Sequence, residues 1–157
     1  MKINGNVEVD GSFKLKDLIT ACASFSTGEI SISKTVTYGG TQVPFANITY
    51  NYGNVFSLNG GKVYCSRKAI IQVDYILLID EAAENYYVLL GRNGLYVYTG
   101  GCSPKNGIAG STLAGSFQFQ INAGEYITLK LGASGTYSNK TVYSGSRLSV
   151  FIVRYLD

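Results

Sequence analysis

Apolar and polar positions alternate with a period of two along most of this chain, in short runs broken by glycine- and asparagine-rich turns. The longest run is Ala69–Ile79. One parity carries Ile71, Val73, Tyr75, Leu77 and Ile79, and the other carries Ile70, Gln72, Asp74, Ile76 and Leu78. A strand with one wet face alternates cleanly. Here the second parity turns apolar again at Ile76 and Leu78, which predicts a cover on both faces. In a small β domain the natural cover is another copy of the chain. Similar runs fall at 45–52, 54–58, 62–65, 85–90, 95–98, 113–121, 126–131 and 148–155. Turn signals separate them: Asn59-Gly60-Gly61, Asn93-Gly94, Asn106-Gly107 and Ala123-Gly124-Glu125. Asn93-Gly94 predicts a type I′ hairpin, whose two central residues both need positive φ. Eight or nine short strands at this spacing predict an all-β fold, either a sandwich of two antiparallel sheets or a jelly roll.

Residues 1–40 have a different texture. A short strand is predicted over 4–10 and an alternating one over 29–37. Between them, Leu15, Leu18, Ile19 and Cys22 share one face of a possible short helix over 14–23. We expect residues 1–40 to form an arm or attachment segment and residues 41–157 to form the head. The 157 residues suffice for one domain that buries roughly 70% of its unfolded surface.

Composition narrows the function. Glycine (19 residues) and tyrosine (13) are abundant, whereas the net charge is only +3. The basic residues Lys62, Arg67, Lys68, Arg92 and Lys105 are scattered, so no nucleic-acid partner is expected. No membrane partner is expected either, and the amino terminus lacks the pattern of a secretion signal. Cys22, Cys65 and Cys102 are odd in number and far apart, which predicts free thiols. The chain has no histidine. That excludes Ser-His-Asp and Cys-His nucleophile systems and His-ligated zinc. Asp80, Glu81 and Glu84 form an acidic cluster without the spacing of a dedicated metal site. A carboxylate-based glycoside hydrolase is a minor alternative; the expectation is no enzyme, no cofactor and no metal. The Gly100–Gly107 stretch reads as a long surface loop. Tyr86, Tyr87, Tyr96, Tyr98, Tyr137 and Tyr143 lie in or beside loops and outer strands, and are candidates for contact with a sugar or protein surface.

From Phe45 onward the residues resemble the globular heads of the complement C-one-q and tumour-necrosis-factor group. The family's core-strand pattern is matched by Ala69-x-Ile71-x-Val73-x-Tyr75 after the Gly-rich stretch Leu58–Cys65, with Ala69 and Val73 replacing its Gly and Phe. Its basic-asparagine hairpin resembles Leu90-Gly91-Arg92-Asn93-Gly94. Ala114–Glu125 and Ser146–Ile152 resemble its later strands. The resemblance covers about 110 residues. It implies a ten-strand jelly roll that forms a homotrimer through one sheet. Ile70, Ile76, Leu78, Phe117, Phe119, Phe151, Val153 and Tyr155 would then line the interface. By analogy, a leading arm suggests a phage virion fibre or decoration head contacting a host-surface glycan or protein and joined to a larger assembly by its arm. A bacterial surface or spore-coat head is the alternative.

Overall fold

The period-two pattern becomes thirteen strands and no helix among the described residues of the computed structural model. Those residues are 21–27, 30–34, 40–79, 86–103, 111–133 and 137–156. The strands are β1 (Cys22–Ser26), β2 (Ile30–Lys34), β3 (Thr41–Gln42), β4 (Asn47–Tyr52), β5 (Phe56–Asn59), β6 (Lys62–Cys65) and β7 (Ala69–Ile79), followed by β8 (Tyr86–Arg92), β9 (Leu95–Ser103), β10 (Ser111–Ile121), β11 (Tyr126–Ala133), β12 (Tyr137–Val142) and β13 (Arg147–Tyr155). They form two antiparallel sheets. Sheet A runs β2-β12-β7-β13-β1-β4, with β10 on the free edge of β7. Sheet B runs β5-β6-β11-β8-β9, with β3 beside β11. This is a jelly-roll sandwich.

The core lies between the sheets. Sheet A contributes Phe25, Ile71, Val73, Tyr75, Leu77, Leu148, Val150 and Ile152; sheet B contributes Phe56, Val63, Val88, Leu90, Ile127, Leu129 and Leu131. Each set is one parity of its strand, which is why the alternation was visible in the sequence. The hairpin at Asn93-Gly94 has φ of 49° and 83°, as a type I′ turn requires. Gly60 and Gly61 turn β5 into β6 with φ of 57° and 72°. Arg92 ties the sheets together at one rim. Its Nη1 donates to the Gln120 carbonyl at 2.8 Å, and its Nε lies 3.7 Å from a Glu125 oxygen.

Four expectations need correction. The boundary at residue 40 does not divide the fold. β1 sits between β13 and β4, with Phe25 opposite Leu148 and Ile48, and Ala21, Ala23 and Phe25 are buried. β2 extends the same sheet by pairing β12. The head therefore includes β1 and β2. The possible helix over 14–23 ends in strand at Cys22 and Ala23; its first part, like the strand expected over 4–10, lies outside the described residues. Gly100–Ser103, expected in a loop, belongs to β9. Finally, Tyr155 does not share a face with Phe151. A bulge between Ile152 and Arg154 shifts the register, placing Tyr155 opposite Ala69 on the core side.

Candidate functional site

Two outward sheet faces carry the side chains that could meet a partner. On sheet A the outward parity of β7 is Ile70, Gln72, Asp74, Ile76 and Leu78. The register places Gln118, Gln72, Phe151, Cys22 and Tyr52 in one row across five strands. The next row is Ser116, Asp74, Ser149, Ser24 and Tyr50. Ile76 and Val153 are each 45% exposed and Phe151 is 38% exposed, while Ile70 and Leu78 are half-buried. The polar side chains between them partner one another. Gln72 Nε2 donates to Asp74 at 3.0 Å, Gln118 Nε2 donates to Gln72 at 3.0 Å, and the Ser149 hydroxyl lies 3.4 Å from that of Ser24.

Phe117 and Phe119 do not lie on this outward face. They share the parity of Leu113 and Ile121, so they point to the core side. Because β10 is an edge strand they remain half-buried there. Tyr98 of β9, the facing edge of sheet B, stacks on Phe117 with ring centroids 4.2 Å apart. An aromatic seam thus closes one open side of the sandwich.

The outward face of sheet B holds tyrosines and lysines. Tyr64 and Tyr126 are opposite each other, with ring centroids 5.4 Å apart. The Lys62 ammonium lies 4.6 Å from the centre of the Tyr126 ring, and that of Lys130 lies 5.1 Å from the centre of Tyr96. Lys130 Nζ also donates to the Tyr96 hydroxyl at 3.3 Å. Thr128 sits among them on the same parity.

The candidate tyrosines scatter. Tyr86 is buried and Tyr98 belongs to the seam, so neither offers an exposed contact face. Tyr87 is half-buried, its ring lying directly over Gly132. Tyr96 and Tyr143 are exposed, Tyr96 on the sheet B face and Tyr143 in the turn between β12 and β13. Tyr137 falls in β12, but its side chain lies outside the described residues. Tyr64 and Tyr126 were missed. Parity could have found them, since both alternate with buried neighbours at Val63, Cys65 and Ile127.

Other chemistry is sparse. Among the described residues no three His, Cys, Asp or Glu side chains gather to hold a metal. Asp80, Glu81, Glu84 and most of Gly100–Gly107 lie outside the described residues or have side chains that do. Cys22 and Cys65 are free thiols, half-buried and buried respectively, and burial pushes the Cys65 thiol up. The Cys102 side chain lies outside the described residues. The Asn122 N–H, donating at 2.8 Å, holds the Glu125 carboxyl below its ordinary range. Burial, with Tyr98 nearby, pushes the Tyr75 hydroxyl up.

No protein-family model and no curated protein sequence matches the chain. Solved structures do. A crystal structure of murine APRIL at pH 5.0 superposes with a TM-score of 0.68 at 14% identity, covering 85% of this chain and 99% of that one. The globular domain of zebrafish complement 1qA gives 0.61 at 11% identity, over 86% of this chain and 98% of that one. Eiger TNF from S. frugiperda gives 0.62 at 12% identity, over 90% and 96%. At these identities the likeness is one of fold: the chain has the jelly roll of the tumour-necrosis-factor and C1q heads.

Proposed function

We propose that the protein is a binding head that works as a ring of three copies, closed through the outward face of sheet A and without catalytic chemistry. The observation that carries this is the joint exposure of Ile76, Phe151 and Val153 on one sheet face, flanked by Ile70 and Leu78. Exposed apolar side chains gathered on one sheet face mark a site of association, here on either side of the polar row of Ser116, Asp74, Ser149 and Ser24. The resemblance to the tumour-necrosis-factor and C1q heads supplies the number three.

A cyclic ring needs two different patches that meet. The outward face of sheet A is one, and the seam of Tyr98, Phe117 and Phe119 along the β9–β10 edge suits the other. The chain Gln118–Gln72–Asp74 fits the same reading. Its members already hydrogen-bond one another, which lowers the cost of taking them out of water. They also fix the register in which copies meet.

Sheet B and the ends of the sandwich then face outward, to a host-surface glycan or protein. We place this head on a virion, as a fibre or decoration protein. That placement rests on the sequence reading, and mass spectrometry of purified particles tests it. Absence from particles would refer the head to a bacterial or spore surface. The ring is tested by sedimentation. The unmodified chain should run as a trimer, and Ile76→Asp as a folded monomer, because it would bury an unpaired charge in each of three contacts. A folded monomer for the unmodified chain would end this reading.

A further inference from the structure

The outward face of sheet B holds a group of side chains that the ring does not use. Lys62 and Tyr64 stand on β6, Tyr126, Thr128 and Lys130 on β11, and Tyr96 on β9. Gly91 of β8 is opposite both Thr128 and Tyr96, so no side chain fills the space between them. The Thr128 hydroxyl occupies it instead: a Cβ on Gly91 would come within 2.8 Å of Oγ1. Thr128 is only 3% exposed although it lies on an outer face, and Oγ1 has no hydrogen-bond partner in the protein. A buried hydroxyl left this way is destabilising until something hydrogen-bonds to it.

Two ammonium groups border the same place, each held over a tyrosine ring. Cation–π contact limits where each ammonium can move, so the positive charge is pre-positioned. Among the described residues no carboxylate lies within salt-bridge reach of Lys62. Glu125, beside Tyr126 in sequence, is engaged by the Asn122 N–H and by Arg92. The face therefore presents cations and flat amphipathic rings, with an unused hydroxyl shielded from solvent among them. That set suits a ligand with a negative charge, a partly apolar ring face and several hydroxyls.

We infer that the outward face of sheet B binds a carboxylate-bearing sugar of a surface glycan. The carboxylate meets the Lys62 and Lys130 ammonium groups and the sugar ring packs between Tyr126 and Tyr96; a ring oxygen or hydroxyl reaches the shielded Thr128 Oγ1 only as neighbouring side chains part. This deepens the reading above by naming the ligand class, and it rests on that reading only for sheet B facing outward. The platform lies within one protomer.

Calorimetric titration of the full chain tests it with three probes: a uronate-containing oligosaccharide, its neutral counterpart with CH2OH in place of the carboxylate, and a polyglutamate peptide. Tyrosine fluorescence gives a second readout, since the chain has no tryptophan. The uronate should bind and weaken with added salt. The neutral sugar should bind at least about tenfold more weakly, the scale of one lost charged hydrogen bond. Lys62→Gln should cost a similar factor and Thr128→Val about threefold. Arg67→Gln should change nothing, because Arg67 packs on Tyr155 elsewhere, 4.0 Å from that ring's centre. Equal binding of the neutral sugar, equal binding of polyglutamate, or no binding of the uronate each overturns the inference and leaves the trimer untouched. A monomer in sedimentation would overturn the ring and leave this titration interpretable.

Discussion

Ser146→Ala should destabilise the protein far more than a surface serine-to-alanine change does. β12 and β13 run in one lane along β7, but the lane breaks at the turn between them. Val142 is opposite Ile79 and Arg147 is opposite Ile76. Leu78 falls in the gap. Its carbonyl accepts from the Tyr143 N–H at 2.8 Å, but its own N–H has no strand partner there. Ser146 Oγ supplies one at 3.0 Å and lies 3.5 Å from the Leu78 carbonyl. Ser146 is fully buried, so water cannot take its place without rearrangement. Losing the hydroxyl strands a shielded N–H, which costs about 1–3 kcal/mol. For a domain of this size that lowers the melting temperature by roughly 2–12 °C. Ser149→Ala is the control. It removes only a 3.4 Å hydroxyl–hydroxyl contact on a half-buried face, worth less than about 0.5 kcal/mol. Scanning calorimetry gives the melting shift, and amide hydrogen exchange shows whether Leu78 opens. The reasoning fails if Ser146→Ala melts within about 1 °C of the parent, or if Leu78 exchange is unchanged.

Three further outcomes follow from other contacts. Gly115→Ala should cost about 1–3 kcal/mol in a denaturant titration, because its Cβ would come within 2.5 Å of the buried Tyr75 hydroxyl. Cys22 lies beside Phe151 and Tyr52 on the outward face of sheet A, so peptide mapping after a timed alkylation should find it modified faster in monomeric Ile76→Asp than in the trimeric parent. Cys65, buried and with its thiol pushed up, should stay unmodified in both until they unfold. Glu125 has a folded-state pKa below its unfolded value, so its contribution is present above the ordinary carboxylate range of about 4.3 and is lost as pH falls through the folded value. The stability difference between the parent and Glu125→Gln should therefore hold steady from pH 7 to about 5 and shrink below about 4; a difference that grows on acidification would contradict this.

What was legible in the sequence follows from how far each signal reaches along the chain. β7 and the Asn93-Gly94 hairpin need only their own residues to be recognised, and both appear where expected. β1 does not announce itself, because Cys22, Ala23, Ser24 and Ser26 are small and carry little period. Its place comes from β13 and β4, which need a strand between them. β12 has the same difficulty: its partners β2 and β7 lie far away in sequence. The glycines at 100 and 101 read as a loop, yet Gly100 is bare because the Tyr98 ring lies along it.

The outward faces were harder still. Parity along one strand tells which residues share a side until a bulge intervenes. The bulge after Ile152 sends Tyr155 inward, away from Phe151. Even where parity holds, a face is assembled from distant strands. Cys22, Tyr52, Gln72, Gln118 and Phe151 form one row that no local pattern contains. The Tyr126, Thr128, Lys62 and Tyr96 group is of the same kind. It exists because Gly91 has no side chain between β11 and β9 and leaves that place to the Thr128 hydroxyl, an arrangement that gains meaning only once three registers are known.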